Sequence, residues 1–198
     1  MSENGTENSG AQISKTQYLQ TKVTSSFMFV LLLVVGDIVS KKSIMNNMEF
    51  NEKRPIIEGF FSLHYVRNTG SAFSFLADQT WGIYVLSAMS LIFGVLILGL
   101  MVFAFIKDFN KIGLYFGMIA AGAIGNLVDR FSLHYVVDFL RFDFGSYTFP
   151  IFNLADCYAV IGTFLLIICI LFNSKEFDAF WTTLFPKKAK NNDQRVQD

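Results

Sequence analysis

The chain has 198 residues, 53% of them hydrophobic and only 16% charged, with 23 Phe and a formal net charge of zero. A soluble domain usually carries about 25% charged residues, and here the apolar residues fall in long blocks, which is the composition of a membrane protein. With no net charge and no basic run interleaved with aromatics, nothing supports a nucleic-acid partner.

In chain order, residues 1–22 are rich in Ser, Asn, Gly, Gln and Thr and read as a disordered tail. A first apolar block covers 23–39. No small-residue cleavage site follows it, and Asp37 and Lys41 stand at its end, so a cleaved signal peptide is not expected. Further apolar blocks cover 81–106, 112–128 and 155–172. Each is near the roughly 20 residues that cross about 30 Å of hydrocarbon as a helix. Four spans place both termini on one side, and the short link at 107–111 makes spans two and three a tight hairpin. The predicted fold class is therefore all-α, with four transmembrane helices.

Two segments remain for the opposite side, about 42–80 and 130–154. Both are rich in Phe and Tyr with partial alternation (Ile57, Phe60, Leu63 and Tyr65) and read as short strands on the membrane surface, punctuated by Pro55 and Pro150. Nine of the sixteen lysines and arginines lie on the side of the termini, which narrowly favours cytoplasmic termini. The end of the chain, with Trp181, Lys187, Lys188 and Lys190, reads as an interfacial and then disordered tail.

One hexapeptide recurs. Phe61-Ser-Leu-His-Tyr-Val66 reappears as Phe131-Ser-Leu-His-Tyr-Val136, and two residues beyond the copies stand Asn68 and Asp138. Either two equivalent strands deliver these polar groups to a shared site, or the repeat reflects common strand composition. A metal held by His64 and His134 would lack a third ligand at a metal-site spacing. Cys157 and Cys169 are about 18 Å apart along one helix, too far to bridge, and read as small packing residues.

Charges in or beside a span are costly, so each is a functional candidate. Asp37 and Lys41 are four apart, on one side of a helix, as a supporting ion pair would be. Asn126, Asp129 and Arg130 close the third span, after glycines and alanines that allow close helix approach. Asp129 and Arg130 read as mainly structural. Asp156 opens the fourth span, where a helix cap would explain it. Asp138, flanked by Val136, Val137 and Phe139, has no such explanation. The 17 residues between the two aspartates, with Gly145 and Pro150, let the chain turn back and pair them. Two adjacent carboxylates share a proton, which supplies an acid and a base together, the aspartic-protease arrangement.

These residues, as Asp37…Lys41, Asn68-Thr-Gly-Ser-Ala-Phe73, Gly125-Asn-Leu-Val-Asp-Arg130, Val137-Asp138-Phe139 and Phe152-Asn-Leu-Ala-Asp156, resemble the motifs of the bacterial lipoprotein signal peptidase (signal peptidase II) family, in its order, over about residues 27–175. The resemblance implies a four-helix inner-membrane aspartyl endopeptidase occupying 23–174, with a β-cradle and a short helix on the outer face. It implies cleavage of diacylglyceryl-modified prolipoproteins just before the lipidated cysteine, with no metal or organic cofactor. Asp138 and Asp156 would be the catalytic dyad. Asn68, Gly70, Asn126, Arg130 and Asn153 would contact substrate or inhibitor, and Asp37, Lys41 and Asp129 would support the structure. Membrane lipids and globomycin-type inhibitors would be its other partners. The polar N-terminal tail is longer than the family pattern, and the stretch before Asn68 is extended.

Two rival readings stand. A non-enzymatic membrane protein that binds lipid or peptide would use the same carboxylates as binding groups. A presenilin-type protease would need a Gly-x-Gly-Asp signature, which is missing here.

Overall fold

In the computed structural model, residues 4–70 and 81–186 are described. The helices are α1 (Asn4–Asn47), α2 (Gly82–Ile106), α3 (Asn110–Leu133), α4 (Leu154–Phe172) and α5 (Ser174–Leu184). The strands are β1 (Lys53–Ile57), β2 (Phe61–Asn68), β3 (Val136–Phe144) and β4 (Tyr147–Thr148). Four helices, α1 from Ser14 onward and α2 to α4, are long and apolar enough to cross a membrane. The chain is a multi-pass membrane protein, and the four expected spans are present.

The four spans are not equivalent. In α3, 56% of the most apolar window is buried inside the protein, against 17–28% in the other three. α3 packs on α1, α2 and α4, so it is the centre of the bundle. Its composition explains the placement. Gly113, Gly117, Gly122 and Gly125 let neighbours approach, and its polar end is covered by protein instead of lipid. A Cβ on Gly122 would collide with the backbone carbonyl of Ala155, and one on Gly125 would lie 2.6 Å from Asp37 Oδ2. Side chains such as Leu32, Ile92, Phe164 and Leu171 are left exposed on the outer helices, as lipid-facing residues must be.

α1 continues helical back to Asn4, whereas composition suggests a disordered tail over 1–22. A helix already nucleated in the span adds each further residue at little cost, which a composition rule does not count. Lys22, paired with Asp108 in the α2–α3 link, ties this part of α1 to the bundle. At the same end, the amphipathic α5 buries Phe180 against Phe103, Phe109 and Phe116 and leaves Trp181 half exposed. That suits the interfacial end expected there; Lys187, Lys188 and Lys190 lie outside the described residues.

At the opposite end the two surface segments form one antiparallel sheet in the order β1-β2-β3-β4. Gly59 and Gly145 adopt positive φ at the two hairpin turns, a conformation glycine takes without strain. Val137 and Phe139 bury one face of β3 with Ile44, Met48 and Tyr65. No short helix accompanies the sheet among the described residues; residues 71–80, including Ser71, Ala72 and Phe73 of the Asn68 motif, lie outside them.

The hexapeptide repeat does not form two equivalent strands. Its first copy lies in β2, while Phe131, Ser132 and Leu133 of the second copy are the last turn of α3. His134 then caps that helix in the left-handed region, and only at Val136 does β3 begin. The two histidines serve different ends: His64 bonds Asn51 and Arg141 within the sheet, and His134 ends a helix.

Candidate active site

Four elements deliver the predicted polar residues to one place beside the sheet. In β2 and β3, Asn68 pairs with Val136 and Val66 with Asp138. Directly opposed residues of an antiparallel pair share a face, so Asn68 and Asp138 emerge on the same side. Asn68 Nδ2 donates to Asp138 Oδ2 at 2.9 Å. The Asn68 Oδ1 accepts the Gly70 backbone N–H at 3.0 Å, which turns the chain just past the strand. Asn68 and Gly70 thus lie beside Asp138, although not through a repeated strand.

Asp156 enters from α4. The cap of α4 is Asn153, and Asp156 is its third residue, in a reciprocal capping box. Asn153 Oδ1 accepts the Asp156 N–H at 3.0 Å, and Asp156 Oδ2 accepts the Asn153 N–H at 3.1 Å. The helix-cap explanation weighed for Asp156 holds, and it leaves one carboxylate oxygen free for another partner. One oxygen closes the helix, and the other, Oδ1, accepts from Asn126 Nδ2 at 2.8 Å.

Asn153, fully buried, joins the two aspartates. Its Nδ2 donates to Asp138 Oδ1 at 2.6 Å and to Asn126 Oδ1 at 3.0 Å. Asp138 is 3% exposed, and among the described residues its side-chain hydrogen bonds come from the amides of Asn68 and Asn153. Burial first, and the neighbouring Asp156 second, push its carboxyl up to about 7. Such a group keeps its proton near neutrality, as one member of a proton-sharing pair must.

A second buried cluster adjoins the first. Lys41 Nζ pairs with Asp37 at 2.8 Å and Asp129 at 3.1 Å, all three side chains being 7% exposed or less. The other bonds of these carboxylates reach backbone beside the dyad. Asp37 Oδ1 accepts the Ala155 N–H at 2.9 Å, one residue before Asp156. Asp129 Oδ2 accepts the Val137 N–H at 3.0 Å, one residue before Asp138. Lys41 also donates to Asn126 Oδ1 at 3.0 Å. A lysine has no acceptor atom, so this contact settles which way the Asn126 amide faces.

Arg130 stands in the last turns of α3, within electrostatic range of Asp156, Asp138 and Asp129. Its Nη1 bonds only Ser90 Oγ of α2, at 3.3 Å, and its buried Nε has no hydrogen-bond partner among the described residues. A buried donor with nothing to bind is costly unless something arrives to bind it. Ser90 was not legible as a site neighbour, because a lone serine in an apolar span is ordinary. The reach of Lys41 to Asn126 also crosses 85 residues of sequence and has no local signal. Among the described residues no group of three His, Cys, Asp or Glu side chains could hold a metal ion.

Comparison with known proteins agrees with this geometry. The sequence pattern of signal peptidase (SPase) II matches residues 29–172. The lipoprotein signal peptidase of Streptococcus pyogenes serotype M5 (strain Manfredo) is 38% identical over 141 residues, covering 71% of this chain and 89% of the relative. The protein of the same name from serotype M2 (strain MGAS10270) matches equally. Two solved structures, both described as bacterial membrane enzymes studied by the in meso method, share the fold with TM-scores of 0.64. One is 28% identical and covers 84% of this chain and 94% of its own; the other is 30% identical and covers 76% and 94%. A pattern spanning all four membrane helices and relatives at this identity lead to one assignment: the chain belongs to the signal peptidase II family of membrane proteases.

Proposed function

We propose that this protease is an aspartic endopeptidase that removes the signal peptide from diacylglyceryl-modified prolipoproteins, cutting before the lipidated cysteine, with Asp138 and Asp156 as its catalytic pair. The observation that carries this reading is that one buried side chain, Asn153, contacts both aspartates, donating to the Asp138 carboxyl and accepting the Asp156 N–H, while burial and the neighbouring Asp156 push the Asp138 carboxyl up to about 7. The names of the relatives point to the same substrate class.

The chemistry follows from the asymmetry of the pair. Asp156 accepts N–H groups at both oxygens at the start of α4, where the helix dipole favours negative charge. It is the base that takes a proton from water as the water oxygen bonds to the scissile carbonyl carbon. Asp138 gives its proton to the carbonyl oxygen. When the tetrahedral intermediate collapses, the C–N bond breaks, the leaving amine takes the proton held by Asp156, and Asp138 recovers its own. Asn68, Gly70, Asn126, Arg130 and Asn153 surround the pair, and the spare donor capacity of Arg130 suits a substrate carbonyl. The apolar spans offer walls for acyl chains.

In the membrane this reading sets the sheet and the dyad toward the outer face of the bacterial cell membrane. Residues 1–22 and 175–198 lie on the cytoplasmic side. A globomycin-type cyclic peptide would compete for the same site. The test is a purified-protein assay with a diacylglyceryl-modified precursor, scored by release of the signal peptide. Cleavage by the natural protein and none by Asp138→Asn or Asp156→Asn is expected. A natural protein that binds the lipidated precursor but never cuts it would return the chain to a non-enzymatic binding role.

A further inference from the structure

In the sequence, Asp37, Lys41 and Asp129 read as support for the structure. Their contacts are more particular than support requires. Each carboxylate grips one backbone N–H, and both are the amides that immediately precede a dyad aspartate: Ala155 before Asp156, and Val137 before Asp138. Asp37 comes from α1 and Asp129 from α3, so neither belongs to the element it grips. Among the described residues, the only group paired with both is the Lys41 ammonium, and its third contact fixes the Asn126 amide that donates to Asp156.

We propose that Lys41 is a positioning residue for the peptidase reaction: it locks Asp37, Asp129 and Asn126 into one clamp that sets the spacing of Asp138 and Asp156 and turns the Asn126 amide toward Asp156. The inference rests on the proposed function above.

The physical argument concerns two elements whose backbones meet on one side of the aspartates, where Phe139 and Leu140 donate to the Phe152 carbonyl and Phe152 donates to Leu140, while the clamp holds the amide on the other side of Asp138 and the one before Asp156. β3 and α4 are separate pieces, and a dyad works only if its carboxyl groups meet at hydrogen-bonding geometry. Misplacement by about 1 Å can cost roughly 10²-fold in rate. A salt bridge in the interior is weak evidence for stability by itself, because desolvation consumes most of the Coulomb gain. This one is placed to hold two backbone segments in register. Asn126 adds the orientation. Were its amide reversed, its oxygen would face the Asp156 carboxylate and its NH₂ would face the ammonium, two repulsive contacts in place of two attractive ones. Among the described residues, the charged and titratable groups around the clamp are Asp37 and Lys41 of α1, Asp129 and Arg130 of α3, Tyr135 just after α3, Asp138 of β3, and Asp156, Cys157 and Tyr158 of α4.

The test separates positioning from folding. Lys41→Met alone strands two buried carboxylates, so it is made together with Asp37→Asn. The pair keeps the cluster's net charge and an oxygen at position 37 for the Ala155 N–H. The expected result for this double variant is a thermal midpoint within a few degrees of the natural protein. Its kcat falls roughly 10- to 100-fold with KM within about twofold, and the acidic limb of its kcat–pH profile moves to higher pH because the ionised pair has lost an oriented donor. Asn126→Ala leaves every ion pair in place and is expected to show the same displacement of the acidic limb. An Asn126→Ala protein with the natural pH profile would overturn the proposal even if the double variant does not fold. So would a folded double variant with natural kcat and profile. If the natural protein itself does not cleave the precursor, it is the proposed function that fails, a different outcome from a cleaving natural protein matched by its variants.

Discussion

Two buried acid clusters lie side by side in this protein and meet at Asn126. Three of their four aspartates, Asp37, Asp129 and Asp138, are buried, and Asp156 is half-buried. In one, Asp37 and Asp129 share the Lys41 ammonium, and their other bonds go to backbone N–H groups. In the other, among the described residues, the hydrogen bonds of Asp138 and Asp156 come from amide N–H groups, with the Arg130 guanidinium within electrostatic range of both. A buried charge must be paired or neutralised. The first cluster is paired by the Lys41 ammonium. The second is neutralised by holding a proton, which it can give and recover. Under the proposed function, the same residue type is a fixture in one and a reagent in the other.

The largest effect that would sharpen this contrast is on rate. Asp138→Asn or Asp156→Asn should lower kcat for precursor cleavage by about 10⁴-fold or more, as loss of an acid in a catalytic set does. The variants should still insert in the membrane and run as folded protein. Equal losses from Asp37→Asn would break the comparison, since that side chain touches no reacting atom. The pH dependence belongs to the same pair. kcat/KM should fall on the alkaline side with an apparent midpoint near 7 as Asp138 loses its proton, a value belonging to the coupled dyad. A profile flat through that range would remove Asp138 as the acid.

Next in size is the closed cluster. Lys41→Met should destabilise the protein by about 3–5 kcal/mol, the cost of leaving buried charge uncompensated, read from thermal unfolding in detergent. The same substitution combined with Asp37→Asn should recover most of that loss. Gly122→Ala should cost about 1–3 kcal/mol, because the new methyl group meets the Ala155 carbonyl where α3 and α4 cross. It should also lower activity, since Ala155 adjoins Asp156.

The smallest expected effect is a slope. Between about pH 4 and 7 the folded protein holds a proton on Asp138 that the unfolded chain, with its carboxyl near 3.8, has released. The folded state therefore binds more protons in that window, and stability falls as pH rises through it, by at most roughly 1.4 kcal/mol per pH unit. Asp138→Asn should flatten that part of the stability curve.

How much of this was legible beforehand varies with range in the sequence. The four spans were, because length and hydropathy are local and the bilayer sets the threshold. The surface strands were, from alternation and from Pro55 and Pro150. The site residues were recognisable singly, since each is a polar group where such groups are costly, and their order carried the family resemblance. Contacts were less so: the Lys41–Asn126, Asp37–Ala155 and Asp129–Val137 bonds cross long or irregular intervals. The hexapeptide shows the limit most directly. Phe-Ser-Leu-His-Tyr-Val is strand at 61–66, where it lies between β1 and β3, and helix end at 131–136, where α3 runs into it. Local propensity was the same in both places, so neighbours decided.

By itself, then, the sequence determined that the chain crosses a membrane four times, which polar residues are too costly to be idle, and that Asp138 and Asp156 stand at one face. These follow from water and lipid acting on each residue in turn. Only the tertiary structure decided which acids are paired with Lys41 and which are left to share a proton. That choice depends on a few ångströms between α1, α3, α4 and β3, and such distances arise only when the helices close around the glycines of α3.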